Sequence, residues 1–305
     1  MTSPRRSSRP QLRRPPKIRM RSNKIALAAF AGLAILQSRD ALAVDRQWIG
    51  LGDANWNDSG NWLLGNVPGD GDIADIVNND AFVRAVEYNY TGTAMTLASL
   101  LLSNTGSGNT TIVLNGNALS TTNATIGSGG IATLIQGGGT FAVNNYFSFV
   151  NGSYNLSGGQ FSVGGQDYIG DNGTAIFTQS GGTHVAATSF AMGIGSTANG
   201  TYNLQAGSLT AGSEDIGIAG ARGTLNQSGG DHIANMFRIG AVGTASIGIV
   251  NLSGGTLTAP TVLLGGTGTT AGGVGILNAT LGHLLPLMVS RSTTAQLARI
   301  GQGLQ

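Results

Sequence analysis

The chain has 305 residues, of which 50 are glycine, 41% are hydrophobic and only 10% are charged. Glycine without a strict three-residue period excludes collagen, and regularly placed apolar residues argue against disorder. The absence of cysteine excludes disulfides, thiolate metal sites and cysteine nucleophiles. The composition instead indicates short β-strands joined by Gly, Asn, Ser and Thr turns.

The start of the chain has the pattern of a secretory signal peptide. Nine of the 16 basic residues lie within positions 1–24, ahead of the apolar run Ile25–Leu36 and the sequence Ala41-Leu42-Ala43. A basic segment, a short apolar segment and a small-residue cleavage site are the three parts of such a leader. We therefore interpret residues 1–43 as a signal peptide; Arg5-Arg6 leaves a twin-arginine signal as an alternative.

Removal of this leader changes the sign of the charge. Cleavage after Ala43 leaves six basic and 13 acidic residues, a formal net charge of −7. A scattered acidic charge does not suit a phosphate backbone, so we expect no nucleic-acid partner. No later apolar run is long enough for a membrane span, so we expect no transmembrane segment in the mature chain. The expected location is extracellular or on the outer cell surface.

All three tryptophans lie in residues 44–100, which differ in composition from the rest of the chain. They are Trp48, Trp56 and Trp62. A stacked repeat needs its open end covered, and aromatic side chains cover a large area, which favours an N-terminal cap. The alternative is a carbohydrate-binding module in which Trp56 and Trp62 contact a glycan.

An acidic run follows the tryptophans. Asp70, Asp72 and Asp75 could supply oxygen ligands to calcium, but the spacing of an EF-hand loop and its terminal Glu are missing. A solvated Asp/Gly turn is the preferred interpretation, and we predict no metal site.

A short motif repeats from Tyr154 to Ala279, and we interpret residues 101–282 as one region of stacked repeats. Its copies begin 23, 25, 23, 25 and 27 residues apart. Internal repetition at such a period indicates a stacked or radial repeat architecture. The copies are Tyr154–Gly159, Phe177–Gly182, Tyr202–Gly207, Leu225–Gly230, Val250–Gly255 and a shorter one at Leu277–Ala279.

Successive copies alternate between two types. Tyr154, Tyr202 and Val250 are 48 residues apart, and so are His184 and His232. The repeating unit is therefore a pair of unlike turns of about 24 residues each, one of which carries Gln and His. Two histidines separated by two turns lie about 10 Å apart, too far to share a zinc ion, so we predict a structural role for them.

This pattern predicts an all-β protein, specifically a parallel β-helix (β-solenoid). In such a fold, equivalent asparagines align and hydrogen-bond along the axis, and glycines at the corners supply positive φ angles. A β-propeller is the alternative, because its blades have 40–50 residues, but near-identical half-units do not suit a blade. The predicted structural positions are Gly159, Gly182, Gly207, Gly230 and Gly255, with Asn155, Asn203, Asn226 and Asn251 and a further asparagine at Asn278.

Residues 44–282 resemble a family of bacterial exported proteins. The resemblance rests on Trp48-Ile49-Gly50, Asn55-Trp56-Asn57, Gly60-Asn61-Trp62 and the run Pro68–Ile76, followed by the Gly-Gly repeats. It is to autotransporter-associated β-strand repeat proteins and exported β-solenoid surface proteins. The resemblance implies a secreted or surface-displayed protein.

The last 23 residues depart from that family. Residues 283–305 lack the Gly/Asn/Thr composition, and neither a C-terminal anchor nor barrel strands are seen there. We interpret them as an atypical tail, with a truncated or frameshifted product as an alternative.

Candidate catalytic residues are few. The acids and arginines of the repeat region are expected to fall at different positions in the turns, and Glu214 and Asp215 to face opposite ways. We therefore predict no catalytic residues and no cofactor. The expected function is structural or adhesive, with a cell-surface glycan or self-association as the interaction; a polysaccharide-active β-helix enzyme is the alternative. The residues considered for catalysis are Asp167, Asp171, Glu214, Asp215, Arg222, Asp231 and Arg238.

Overall fold

Short parallel strands follow one another throughout the described part of the chain. The computed structural model describes residues 43–267, 272–279, 284–285 and 289–291, the last two as backbone only. Twenty strands and two short 3-10 helices, Ser59–Asn61 and Leu63–Gly65, occur in these residues. The strands are β1 (Asp45–Gln47), β2 (Ala54–Asn55), β3 (Ile73–Asn78), β4 (Val83–Glu87), β5 (Leu97–Asn104), β6 (Asn109–Ile126), β7 (Ala132–Phe149), β8 (Gly152–Leu156), β9 (Gln160–Val163), β10 (Gln166–Asp171), β11 (Thr174–Gln179), β12 (Thr183–Ile194), β13 (Asn199–Leu204), β14 (Ser208–Ile218), β15 (Arg222–Val242), β16 (Ile247–Thr258), β17 (Val262–Leu264), β18 (Val274–Ala279), β19 (Leu284–Leu285) and β20 (Val289–Arg291).

Two segments interpreted from the sequence fall largely outside this description. The proposed signal peptide, residues 1–43, lies outside the described residues except for its last position. Most of the proposed tail, residues 283–305, also lies outside them.

The strands form a β-solenoid, in which the backbone winds through about ten turns, here called coils. From the third coil onward each coil passes through three parallel sheets, and the longer strands bend from one sheet into the next. The first sheet begins with β1, β3 and β5, and the second begins with β2 and β4. The third sheet contains parts of β6 and β7 together with β9, β12 and later strands.

This architecture confirms the predicted parallel β-helix with a spacing of about 24 residues, and the β-propeller alternative is wrong. Every pairing between the strands is parallel and joins one coil to the next, as when Phe177 pairs with Tyr154 on one side and Tyr202 on the other. Propeller blades are instead separate four-stranded units.

Alternation along each strand separates the core from the surface. In β8, Tyr154 and Leu156 are buried, whereas Asn155 between them is exposed. Because successive side chains on a strand point to opposite faces, each coil sends one set of residues into the core. Equivalent residues stack about 4.8 Å apart in adjacent coils, which yields a continuous core. One buried column of the second sheet consists of Val86, Ile112, Leu134, Tyr154, Phe177, Tyr202, Leu225 and Val250.

A column of glycines forms the corner between the second and third sheets. Gly207 has a φ of 83°, and a Cβ added to it would lie 2.3 Å from the carbonyl oxygen of Gly182 in the preceding coil. Both the backbone conformation and the close contact therefore require glycine there. The same positive φ occurs at Gly159, Gly182, Gly230 and Gly255.

The three tryptophans pack together beside the first coils. The Trp62 ring meets Trp48 edge-on at 5.1 Å and Trp56 at 4.9 Å between centroids. The indole Nε1 of Trp62 donates a hydrogen bond to the carbonyl oxygen of Trp56 at 2.7 Å. Trp56 also contacts Tyr88 of the next coil, so this aromatic cluster joins the N-terminal segment to the core.

Candidate functional site

Two acid–histidine pairs lie inside the core of the solenoid. Nε2 of His184 is 2.7 Å from Oδ2 of Asp167, and Nε2 of His232 is 2.7 Å from Oε2 of Glu214. All four side chains have no exposed surface. In each pair the acid comes from the coil that precedes the histidine, since Asp167 pairs in register with Phe190 of the histidine coil.

A tyrosine from the following coil completes the first pair. The Tyr202 hydroxyl donates to Oε1 of Gln179 at 2.6 Å and lies 2.9 Å from Nδ1 of His184. Nε2 of Gln179 donates to the carbonyl oxygens of Gly182 and Ser208, which identifies Oε1 as the acceptor. Because the single hydroxyl proton of Tyr202 goes to Gln179, Nδ1 of His184 must donate to the hydroxyl oxygen.

One further proton is then shared between His184 and Asp167. Either Nε2 carries it, giving an imidazolium beside a carboxylate, or the carboxyl carries it and donates to Nε2. The pair is electrically neutral in both arrangements, which suits a buried site. Burial raises the pKa of the Asp167 carboxyl above its usual value, and the neighbouring His184 opposes that rise.

The second pair lacks the tyrosine. Val250 occupies the position of Tyr202 two coils later, so no hydroxyl reaches Gln227 or His232. Oε1 of Gln227 and Nδ1 of His232 accordingly have no hydrogen-bond partner among the described residues. The two pairs share their positions in the coil and the hydrogen bond between Nε2 and the acid, but only His184 has a hydroxyl partner at Nδ1.

We expected the acids of the repeat region to fall at different positions in the turns, and this expectation is wrong for Asp167 and Glu214. Asp167 and Glu214 both pair with Phe190, one on each side, and therefore occupy one inward-facing column of the first sheet. The two acids are 47 residues apart and the two histidines are 48 residues apart. This similar spacing is the sequence signal that could have indicated a recurring acid–histidine pair. The 48-residue unit thus consists of an acid coil followed by a histidine coil.

A polar patch lies on the outer side of the first sheet. We define the tyrosine–carboxylate patch as Tyr146, Ser148, Tyr168, Asp171, Asp215 and Arg238. Tyr146 and Ser148 each donate a hydrogen bond of 2.7 Å to Oδ2 of Asp171, and the rings of Tyr146 and Tyr168 meet edge-on at 5.6 Å. Burial and then the charges of Asp171 and Asp215 raise the pKa of the Tyr168 phenol, so that phenol stays neutral at physiological pH.

An ion pair forms the other half of the patch. Nε and Nη2 of Arg238 donate to the two carboxylate oxygens of Asp215 at 2.5 and 2.6 Å, and Nη2 also donates to Ser213. This hydrogen bonding to Asp215 raises the pKa of Arg238. Glu214 and Asp215 face opposite sides, since Glu214 lies in the core and Asp215 on the outside. Chemically, the patch can offer tyrosine rings and a guanidinium edge to a ligand.

The other residues considered for catalysis do not join this patch. Asp231 lies on the third sheet, where its Oδ1 accepts from Thr256. Arg222 is exposed at the start of β15 in the second sheet.

Trp56 and Trp62 are buried, with exposed fractions of 0% and 1%. Neither presents an indole face to solvent, and this arrangement favours the cap over a glycan contact. The neighbouring carboxylates also have separate partners. Asp70 accepts from the backbone of Thr96, while Asp72 accepts from Arg46 and Gly69.

The predicted asparagine column occurs on the outer side of the second sheet. Asn226 donates to Asn203 at 2.9 Å, Asn251 to Asn226 at 2.7 Å and Asn278 to Asn251 at 2.8 Å. Asn155 occupies the same column but is separated from this run by Thr178, so it does not contact Asn203.

A groove of about 610 Å³ opens at the corner between the first and second sheets. Four of the residues that line it are glycine, and Ile131 and Ile176 supply exposed apolar surface. In the described part of the chain, no three His, Cys, Asp or Glu side chains are grouped closely enough to hold a metal ion. That same part contains no helix with the length and hydropathy needed to cross a bilayer.

The fold defines the class of this chain as a parallel β-solenoid. No protein-family model matches the chain, and no curated protein or solved structure is detectably similar to it. The resemblance to autotransporter-associated repeat proteins therefore remains a hypothesis drawn from the sequence.

Proposed function

We propose that this chain is an exported β-solenoid whose role at the cell surface or outside the cell is structural or adhesive rather than catalytic. The observation that carries this proposal is that the side chains best suited to catalysis are buried in the core or bonded to neighbouring residues. Both described histidines are enclosed with acids in the core, out of reach of any substrate. On the surface, Asp171 and Asp215 are occupied by hydrogen bonds from neighbouring residues.

The repeat itself supports a structural role. Each coil contacts mainly its two neighbours, so added coils extend the protein without a new core design. The leader pattern in residues 1–43 supports export.

Export can be tested by expressing the full chain and a variant that lacks residues 1–43 in a bacterial host. We expect the full chain to leave the cytoplasm and to begin at residue 44, as read by mass spectrometry of its N-terminus, and the shortened chain to stay inside. Retention of the full chain with its leader intact would contradict the proposal.

A screen of purified protein for turnover of neutral and acidic polysaccharides tests the absence of catalysis separately.

A second candidate is carbohydrate recognition or turnover at the tyrosine–carboxylate patch. What favours it is the combination of tyrosine rings, carboxylates and a guanidinium on one outer face. Tyr168→Ala should abolish a glycan-array signal if this candidate is correct. Thr210→Ala on the third sheet is the matched control and should leave that signal unchanged.

A further inference from the structure

The outer side of the second sheet forms a face with almost no charge. We call this the neutral face: the outward residues of the eight second-sheet strands between Asn109 and Ala279. Arg222, at its margin, is the only charged residue in those strands. The first sheet, by contrast, presents Asp171, Asp215 and Arg238 on its outer side. The strands of the neutral face comprise residues 109–114, 132–136, 152–156, 174–179, 199–204, 222–227, 247–252 and 274–279.

The neutral face carries a periodic row of hydrogen-bonding groups. Asn203, Asn226, Asn251 and Asn278 are linked in series, each of the last three donating through Nδ2 to the Oδ1 of the one before. A side-chain amide has two N–H donors and two acceptor lone pairs. Within the row, one donor and one acceptor site of each amide remain available beyond the contacts between neighbours.

Exposed apolar groups accompany this row. Ile131, Ile135 and Ile176 are exposed by 53%, 39% and 44%, and Ile131 and Ile176 also border the corner groove. No aromatic side chain points outward from the described strands of this face, since Tyr154, Phe177 and Tyr202 all lie in the core. A sugar ring would therefore find no flat aromatic surface to pack against.

We propose that the neutral face binds the neutral face of a second copy of this chain. The inference deepens the proposed structural function and rests on it. Two copies have the same spacing of about 4.8 Å between coils, so a contact made by one coil can recur at every coil along the face. The charged groups on the outer side of the first sheet disfavour a contact between two copies there, because like charges repel, whereas the neutral face adds no such repulsion.

The size of the face suits a stable pair. Eight strands span about 38 Å along the axis, and five residues of extended strand span about 17 Å across it. The resulting area is roughly 650 Å² per copy, or about 1,300 Å² in total, which lies within the usual range for specific interfaces.

Sedimentation of the purified residues 44–305 tests the proposal directly. We expect a concentration-dependent dimer. Thr201→Lys places a charge in the middle of the neutral face and should weaken that dimer at least about tenfold, because like charges at an interface are unfavourable. Thr210→Lys, in the same coil but on the third sheet, is the matched control and should leave the dimer unchanged. Circular dichroism of both variants verifies that they are folded.

Because the chain has no cysteine, one introduced thiol can report the contact in a second way. Thr201→Cys should react with a bulky maleimide more slowly as the protein concentration rises, whereas Thr210→Cys should react at a constant rate. A monomer at every concentration, or equal weakening by the two lysine substitutions, would overturn the proposal. Protection of Thr201→Cys by added neutral dextran instead of by protein concentration would also overturn it. These measurements use purified protein, so their failure is distinguishable from a failure of export.

Discussion

The hydroxyl of Tyr202 lies 2.9 Å from Nδ1 of His184, which belongs to the preceding coil, and joins it to Gln179 within the core. The corresponding residue for His232 is Val250, which has no hydroxyl to offer. The two histidine coils therefore differ in how well their buried polar groups are satisfied. Since an unpaired buried polar group costs about 1–3 kcal/mol, the coils around His232 are expected to be the less stable of the two.

Removal of the Tyr202 hydroxyl should make the first histidine coil resemble the second. Tyr202→Phe leaves both Gln179 and His184 without this partner, and we expect the free energy of unfolding to fall by about 2–4 kcal/mol. Tyr154→Phe is the matched control, because its hydroxyl hydrogen-bonds with Gln136 alone among the described residues, and it should cost about half as much. Urea denaturation followed by circular dichroism measures both variants. An equal loss in the two would contradict the bridging role of Tyr202.

The glycine column should tolerate no side chain. In Gly207→Ala the new Cβ meets the Gly182 carbonyl oxygen and the residue must keep a positive φ, so we expect a loss of at least about 1–3 kcal/mol. Gly116→Ala is the control, since an added Cβ there has no neighbouring atom within 4 Å. Thermal melts of the two variants should differ clearly, and similar melting temperatures would show that the corner can move.

The asparagine row should be stabilising only where it is continuous. Asn226→Ala removes one donated and one accepted hydrogen bond, and we expect a loss of about 1–2 kcal/mol. Asn155→Ala, in the same column but next to Thr178, should change stability by less than about 0.5 kcal/mol. Denaturant titrations that gave the opposite order would show that the row adds no stability.

The stability of the first coils should depend on the ionisation of Asp75. Burial, and then the charge of Asp45, raise the pKa of Asp75 above its usual 3.8. A carboxyl with a raised pKa in the folded state contributes stability below pH 3.8 that is lost as the pH rises through the raised value. Asp75→Asn should therefore be more stable than the wild type at neutral pH, and the difference should vanish in acid.

Asp80 supplies a comparison of opposite sign. Its hydrogen bond with Arg84 lowers the pKa of this carboxyl, so its contribution is present at neutral pH and is lost as the pH falls through the lowered value. Asp80→Asn should be less stable than the wild type at neutral pH. Melting temperatures measured from pH 2.5 to 7 test both substitutions, and parallel curves for all three proteins would refute the Asp75 prediction.

The tryptophan cluster should hold the N-terminal coils rather than bind a ligand. Trp56→Ala removes a fully buried ring and should cost about 3–5 kcal/mol. Leu64→Ala, at a site that is 85% exposed, should cost almost nothing. Because all three tryptophans lie in this cluster, their fluorescence reports its unfolding separately from circular dichroism. Loss of glycan binding by a Trp56→Ala protein that remains fully folded would support the carbohydrate-binding alternative instead.

The repeat period predicted the stacking of the coils because each residue type recurs wherever the backbone needs it. Positive φ at Gly182 and burial of Tyr154 follow from local rules of turns and strands. The partnership of Asp167 with His184 could not be predicted in the same way. It depends on how two corners of different length bring separate strands together, and a separation of 17 positions along the chain does not encode that contact.

The third sheet and the tyrosine–carboxylate patch also could not be predicted from the sequence. Register shifts occur in β12 between Ala186 and Ser189 and in β15 between Gln227 and Asp231, so simple counting misplaces the residues that follow. The contact between Asp215 and Arg238 depends on that register. It also depends on the side-chain length of Arg238.

The corner glycines have a consequence for changes in chain length. Gln179 and Gln227 are each followed by Ser-Gly-Gly, and their coils present the same backbone to the next corner. Excision of residues 180–227 would join Gln179 to Ser228 and remove two complete coils while leaving each remaining coil with a neighbour of matching shape. The shortened protein should fold and be about 10 Å shorter along the axis. The length of the solenoid along its axis can thus change in fixed steps, by gain or loss of whole coils, without redesign of any contact surface.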